Sequence, residues 1–204
     1  MTEERWDFYP CRVDEAPASM LVAFHFEDEP PPPDCDTLHV VGIGMSEPDE
    51  HGMGSQAEAE ILWPAEDALV AVLAGERFLH VGRLRNRGVW QVSFYGPSAS
   101  TDTFLRAVDK HSRELGREAW THVDGDADWS YYRSFLLPDV ERRKRISDRI
   151  VVDRLIEHGD RLVKARTVDH ELEFPSREAA ELFLDASLLR GYQRKRLADE
   201  AGPG

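Results

Sequence analysis

Between Leu38 and Val123 the hydrophobic period switches repeatedly between that of a strand and that of a helix, and this alternation limits the fold more than any other feature. Leu38–Met45 reads as a strand. A helix is expected from around Pro64, with Glu66 and Asp67 in its first turn, a stripe of Ala65, Leu69, Val72 and Leu73, and a stop at Gly75. Arg77–Leu84 and Val89–Tyr95 read as a hairpin joined through Arg85-Asn86-Arg87-Gly88. A second helix runs from about Thr101 to Leu115, presents Phe104, Leu105, Val108 and Leu115, and closes at Gly116. Ala119–Val123 is a further strand. The order strand, helix, strand, strand, helix, strand predicts an α+β protein with a ferredoxin-like antiparallel sheet. Trp6–Tyr9 and Met20–Phe26 read as extra N-terminal strands that extend or cover it. The prolines at 30–33 make a stiff extended connector, because proline suits neither a helix interior nor a central strand.

After Asp124 the chain changes character. Trp129–Phe135 reads as a short helix or a docked segment. A long helix runs from Pro138 to about His158, with Ile146, Ile150, Val151 and Leu155 as its stripe and Gly159 as its stop. Arg161–Arg166 and Val168–Phe174 read as two short strands, and Ser176 caps a last helix to about Arg190. The expected organisation is an α+β domain over 1–136, a smaller helix–hairpin–helix unit over 137–192, and a flexible polar tail over 193–204. The small unit resembles half of a second ferredoxin-like domain, and on its own it buries little core.

Charge narrows the functional classes. The chain has 204 residues and a net charge of −14, all of it carried by residues 1–137, while the remainder is balanced. An acidic surface repels phosphate backbones, so no direct nucleic-acid binding is expected of the N-terminal domain, and a basic protein partner would be attracted. No apolar run is long enough to span a bilayer, and Met1-Thr2-Glu3-Glu4-Arg5 lacks the start of a signal peptide. A cytoplasmic location and reduced thiols at Cys11 and Cys35 follow as expectations.

Chemical motifs are sparse. Gly42 and Gly44 lack the spacing of a phosphate loop. Asp124, Asp126 and Asp128 have calcium-loop spacing, but Trp129 and Phe135 stand where such a loop needs glycine and glutamate. That segment reads instead as an acidic strand-to-helix turn. His170 alternates with Val168, Leu172 and Phe174, which would point it inward as a structural or interface histidine. Its neighbour Asp169 faces the other way, so the two do not make a catalytic couple. Arg142-Arg143-Lys144-Arg145 and the cluster of Arg190, Arg194, Lys195 and Arg196 read as solvated helix surface. No GxSxG turn and no HExxH pair is present, and neither a catalytic residue, a metal site nor a cofactor is assigned.

Residues 148–192 carry a recognisable pattern: Val152-Asp153, Leu155, Gly159-Asp160, Arg166, Val168-Asp169-His170, Phe174, Ala179-Ala180, Phe183 and Gly191-Tyr192. The pattern resembles the first half of the regulator of ribonuclease E activity B (RraB) family. That resemblance implies a ferredoxin-like unit that inhibits the endonuclease by binding it as a protein. It implicates Gly159, Asp160, Arg166, Asp169, His170, Phe174, Gly191 and Tyr192 as family-motif or partner-binding residues. The family's second half is not expected, since the chain stops soon after Tyr192. Trp6 through Tyr9, Phe78 through Val81 and Phe94-Tyr95 resemble an uncharacterised family, number 695 of the families of unknown function, often fused ahead of such a unit.

The resulting expectation is a non-enzymatic, protein-binding regulator whose partner is an endoribonuclease. Two alternatives stand beside it. One is a metal- or small-ligand-binding protein or enzyme in which His25, His39, His80 and His122 converge with Asp124 and Asp126. The other is a dimerisation or structural module, in which two half-units complete one sheet as a homodimer.

Overall fold

Positive φ at both Arg87 (49°) and Gly88 (75°) makes a two-residue turn between β4 (Leu79–Asn86) and β5 (Val89–Gly96). Turns of this kind match the right-handed twist of paired strands. Around this hairpin the computed structural model, which describes residues 4–164, 167, 169–170 and 172–193, builds one six-stranded sheet. Its other strands are β1 (Trp6–Val13), β2 (Ala16–Ala23), β3 (Thr37–Gly44) and β6 (Ala119–Gly125). The spatial order is β1-β2-β4-β5-β3-β6, and every neighbouring pair is antiparallel.

Two helices, α1 (Gln56–Ala74) and α2 (Thr101–Leu115), complete the order β3-α1-β4-β5-α2-β6. Strand residues alternate between faces. Val41, Ile43, Val92 and Phe94 therefore pack with Leu62, Leu69, Leu73, Phe104 and Val108 of the helices. Val40, Val81 and Tyr95 point to the opposite face, where Tyr9, Met20, Trp129, Tyr132 and Leu136 join them. The α+β class read from periodicity is the class observed.

Three local expectations need correction. Helix α1 begins at Gln56, well before Pro64, which lies inside it. Ser55 sets the start, its hydroxyl accepting from the Glu58 amide at 3.1 Å. Ala59 and Leu62 are buried, and their packing outweighs the one backbone hydrogen bond that proline removes. Strand β2 ends at Ala23, and Phe24–Phe26 is a 3-10 turn that buries Phe24. Between Gly159 and Ser176 the described residues form no strand, so the expected hairpin is not formed among them. A two-stranded hairpin with no third layer to cover it is marginal in water, and Leu172 and Phe174 are exposed.

The segment after β6 folds back over the sheet. Asp126 donates its amide to the Asp36 carbonyl, Trp129 donates its indole N–H to the Cys35 carbonyl at 2.7 Å, and a π-helical turn follows at Tyr132–Leu136. The phenols of Tyr132 and Tyr9 close the layer, donating to the carbonyls of Ala23 (2.6 Å) and Leu136 (2.8 Å). Helix α3 (Val140–Glu157) then starts at Asp139, whose carboxylate accepts from the Arg142 amide at 2.8 Å. Its residue Ile146 packs on the core, Arg143 pairs with Glu27 at 2.7 Å, and Arg149 pairs with Asp7 while lying 4.1 Å over the Phe8 ring. Of the basic cluster expected as solvated surface, Arg143 is therefore engaged by an acid of the sheet domain, while Arg142 and Arg145 pair with Asp139 and Glu141 at the start of α3.

The compact units divide after His158, so α3 lies with the first, whereas sequence reading draws its boundary after residue 136. In the second unit, helix α4 (Arg177–Leu188) is capped by the Ser176 hydroxyl, which accepts from the Ala179 amide at 3.2 Å. Ala180 is the one buried side chain among the described residues of that unit.

Candidate functional site

The two edges of the sheet differ. Strand β1 carries Pro10, which has no N–H to offer, and is flanked by α3. Strand β6 pairs with β3 and with no other strand among the described residues. Its register sets Trp120, His122 and Asp124 opposite Gly42, Val40 and Leu38. The fold-back segment covers the sheet only as far as Tyr131, whose hydroxyl accepts from Gln91 Nε2 at 2.9 Å and lies 3.4 Å from the Ser93 hydroxyl. An open groove of about 520 Å³ remains between Tyr131 and β6, with Leu38 and Val40 in its lining. The Trp120 ring lies flat across Gly42, where an added Cβ would come within 2.1 Å of Cε2. Glycine at 42 therefore lets the indole rest on the sheet, and Trp120 remains 45% exposed.

At the end of this groove Asp126 faces inward. It accepts from the Tyr95 hydroxyl (2.5 Å) and from the amides of Ser130 (2.7 Å) and Tyr131 (2.9 Å). Burial raises its carboxyl, but those hydrogen bonds outweigh burial and hold it below the usual range. The carboxylate is used as a latch, and the turn reading of this acidic stretch is the observed one.

The four histidines do not converge. His39 is buried, bonded to the Thr37 carbonyl and the Thr101 hydroxyl, with Phe78 and Phe104 around it. His80 lies between Trp6 and Phe94. His25 packs on Phe26 and bonds the Arg5 amide, and His122 lies in the groove on the opposite face from His39. Among the described residues no group of three or more His, Cys, Asp or Glu side chains is placed to hold a metal ion.

A buried ion cluster ties α1 to the hairpin. Glu66 accepts from Arg83 at 3.1 and 3.2 Å and from the Trp90 indole at 2.6 Å, and the Arg83 guanidinium stacks 4.5 Å over that indole. Burial pushes the Glu66 carboxyl up, and Arg83 opposes it. His80 Nε2 stands 3.8 Å from Glu66 with no hydrogen bond of its own, and burial pushes this imidazole down to about 4. The adjoining void of about 10 Å³ is about the size of one water, and the cluster ties α1 to the hairpin.

The eight residues singled out in the second unit fall into small groups. Gly159 and Gly191 take φ of 83° and 88° after the ends of α3 and α4. Asp160 accepts from the Leu162 amide at 2.8 Å. His170 is exposed rather than inward, with its ring edge-on to Tyr192 at 5.9 Å, and the described residues around it form no strand to turn it inside. Phe174 packs on Phe183 at 5.2 Å. Asp169 is exposed, and Arg166 lies outside the described residues, as does the tail from residue 194. Sequence reasoning missed the groove, although Trp120, His122 and Asp124 alternate on one strand.

Residues 145–202 match the family model described as regulator of ribonuclease activity B, a match that begins within α3. No curated protein and no solved structure matches the chain. No helix among the described residues is long and apolar enough to cross a membrane. The sheet and the layer folded back on it coincide with residues 4–137, which match the model of a family of unknown function (DUF695), and since that match spans well over half of the chain, the chain belongs to that family.

Proposed function

We propose that this chain is a non-enzymatic regulator that acts by binding another protein, and that the second unit makes the contact. One observation carries the reading. The unit similar to a ribonuclease regulator buries Ala180 alone among its described side chains, and leaves Leu182, Phe183, Leu188, Leu189 and Tyr192 exposed. Apolar side chains gathered in one small unit gain free energy when a partner covers them. An endoribonuclease of ribonuclease E type is the first partner to test, and its inhibition is the expected consequence. His170, Phe174, Gly191 and Tyr192 lie in this unit and are proposed to shape the contact, together with Gly159, Asp160, Arg166 and Asp169.

The test is capture of the purified endoribonuclease by the full chain at low salt, with RNA cleavage followed in parallel. Binding accompanied by slowed cleavage is expected. The double variant Leu182→Asp, Leu189→Asp should weaken it by at least about tenfold, since each change puts a charge where apolar contact is made. Unimpeded cleavage with no complex at micromolar concentration would sink the ribonuclease reading. A homodimer in light scattering that the same double variant dissolves would assign the face to a second copy of the chain.

A further inference from the structure

We infer that the groove beside β6 is a second docking site, on the DUF695 domain itself, for an extended basic peptide that adds to the sheet as a seventh strand and lays an arginine or lysine on Trp120. Three independent features of this surface converge on that ligand. First, β6 is an edge strand with no strand on its outer side among the described residues, and an open edge offers main-chain donors and acceptors to an extended segment. Second, Trp120 is held flat on the sheet by the space at Gly42 and is 45% exposed, which presents an indole face ready for a cation. Third, the side chains on the groove side of β6 next to Trp120 are His122 and Asp124, both exposed and with no hydrogen bond or ion pair to another described residue.

The groove contains no lysine or arginine, and Asp126 at its end stays ionised. Residues 1–137 carry the whole −14 charge of the chain. Long-range attraction therefore favours a basic segment, and the short-range contacts set its register: main chain along β6, cation over Trp120, ion pair to Asp124. Alternate side chains of an added strand face the groove, so the ligand carries basic residues at every second position. Leu38 and Val40 line the groove as buried apolar floor, against which the aliphatic stem of an arginine or lysine can rest. This site is built from residues of the first unit alone, and it stands whether or not the second unit binds a ribonuclease.

The experiment titrates the full chain with a fluorescent, end-blocked peptide of alternating arginine and valine, read by anisotropy. Saturable binding is expected, weakening as salt rises. Trp120→Ala should weaken it about tenfold, from loss of the cation–aromatic contact. Asp124→Asn should weaken it about threefold, from loss of one partly exposed ion pair. A peptide of the same sequence with every backbone nitrogen methylated keeps the charge but has no N–H to donate along an edge, and should bind at least about tenfold more weakly. Thermal melts confirm that both protein variants fold. Equal affinity of the native chain and Trp120→Ala, or of the unmethylated and methylated peptides, would mean general attraction to an acidic surface and would overturn the proposal. A peptide-free dimer that Trp120→Ala abolishes would overturn it in favour of a second copy at this edge.

Discussion

Helices α2 and α4 obey the same local rules and meet different fates. Both carry an apolar stripe, and both end where a glycine takes a positive φ, Gly116 for one and Gly191 for the other. The cap is the better made in α4, where the Ser176 hydroxyl bonds the Ala179 amide, while Ser100 makes no such bond at the start of α2. Yet Phe104, Ala107 and Val108 of α2 are buried, and of α4 only Ala180 is. The difference is the neighbour. Helix α2 lies on a sheet whose second face is covered as far as Tyr131, so its stripe is one layer of a sandwich. Among the described residues of its own unit, helix α4 has no second layer. Caps and periodicity decide where a helix begins and ends, and burial needs another layer to pack on.

The sharpest way to break this contrast is to delete matching side chains from each unit. Leu136→Ala in the first unit empties a fully buried site and should cost about 2–5 kcal/mol, read as a shift in the urea midpoint. Leu182→Ala in the second unit should stay within about 0.5 kcal/mol, because that side chain is 73% exposed. A large effect at Leu182 in the isolated chain would show that the second unit has a core after all.

Acid should single out the first unit. The His80 imidazole is pushed down to about 4 from 6.5, so the unfolded chain takes up a proton in that window while the folded chain refuses it. Stability is therefore lost as pH falls from about 6.5 to about 4, by about 3 kcal/mol. Glu66 works in the opposite direction. Its raised carboxyl is tolerated best when protonated, so its cost grows as pH rises through its folded value. Comparing the native chain with His80→Phe separates the two, and the variant should lose the acid-sensitive component. Equal pH profiles would show that His80 takes a proton in place.

A smaller effect locates the division between the units. A double-mutant cycle on Asp7→Asn and Arg149→Ala should give a coupling of about 1 kcal/mol, if α3 is part of the sheet domain in solution. A coupling near zero would move α3 to the second unit and erase the boundary at His158.

Much of the first unit was legible in the sequence, because its signals are local and agree. Gly88, Gly116 and the alternation in β3, β4 and β5 place elements within a few residues of where they lie. Pro64 misled, since its usual meaning as a helix start was overridden by Ser55 and by burial of Ala59 and Leu62. Val168 to Phe174 alternates as a strand should, but alternation describes only which side chains would share a face in a sheet, and the described residues of that stretch form none. The groove was not legible, because it depends on Gly42 and Trp120 meeting across a strand pairing that no local pattern reveals. The acidic turn around Asp126 was legible, but its use as a latch was not, since only the approach of the Tyr95 hydroxyl decides it.

The unequal edges of the sheet also bear on solubility. Stacking of sheets into a fibre needs two adhesive sides on every molecule, so that each unit added leaves a fresh one for the next. Here one side is spoiled by Pro10 and the arginine-bearing helix beside it, and only the other is sticky. Chains that meet through the sticky side satisfy each other and leave nothing to extend, so such self-association halts at a pair.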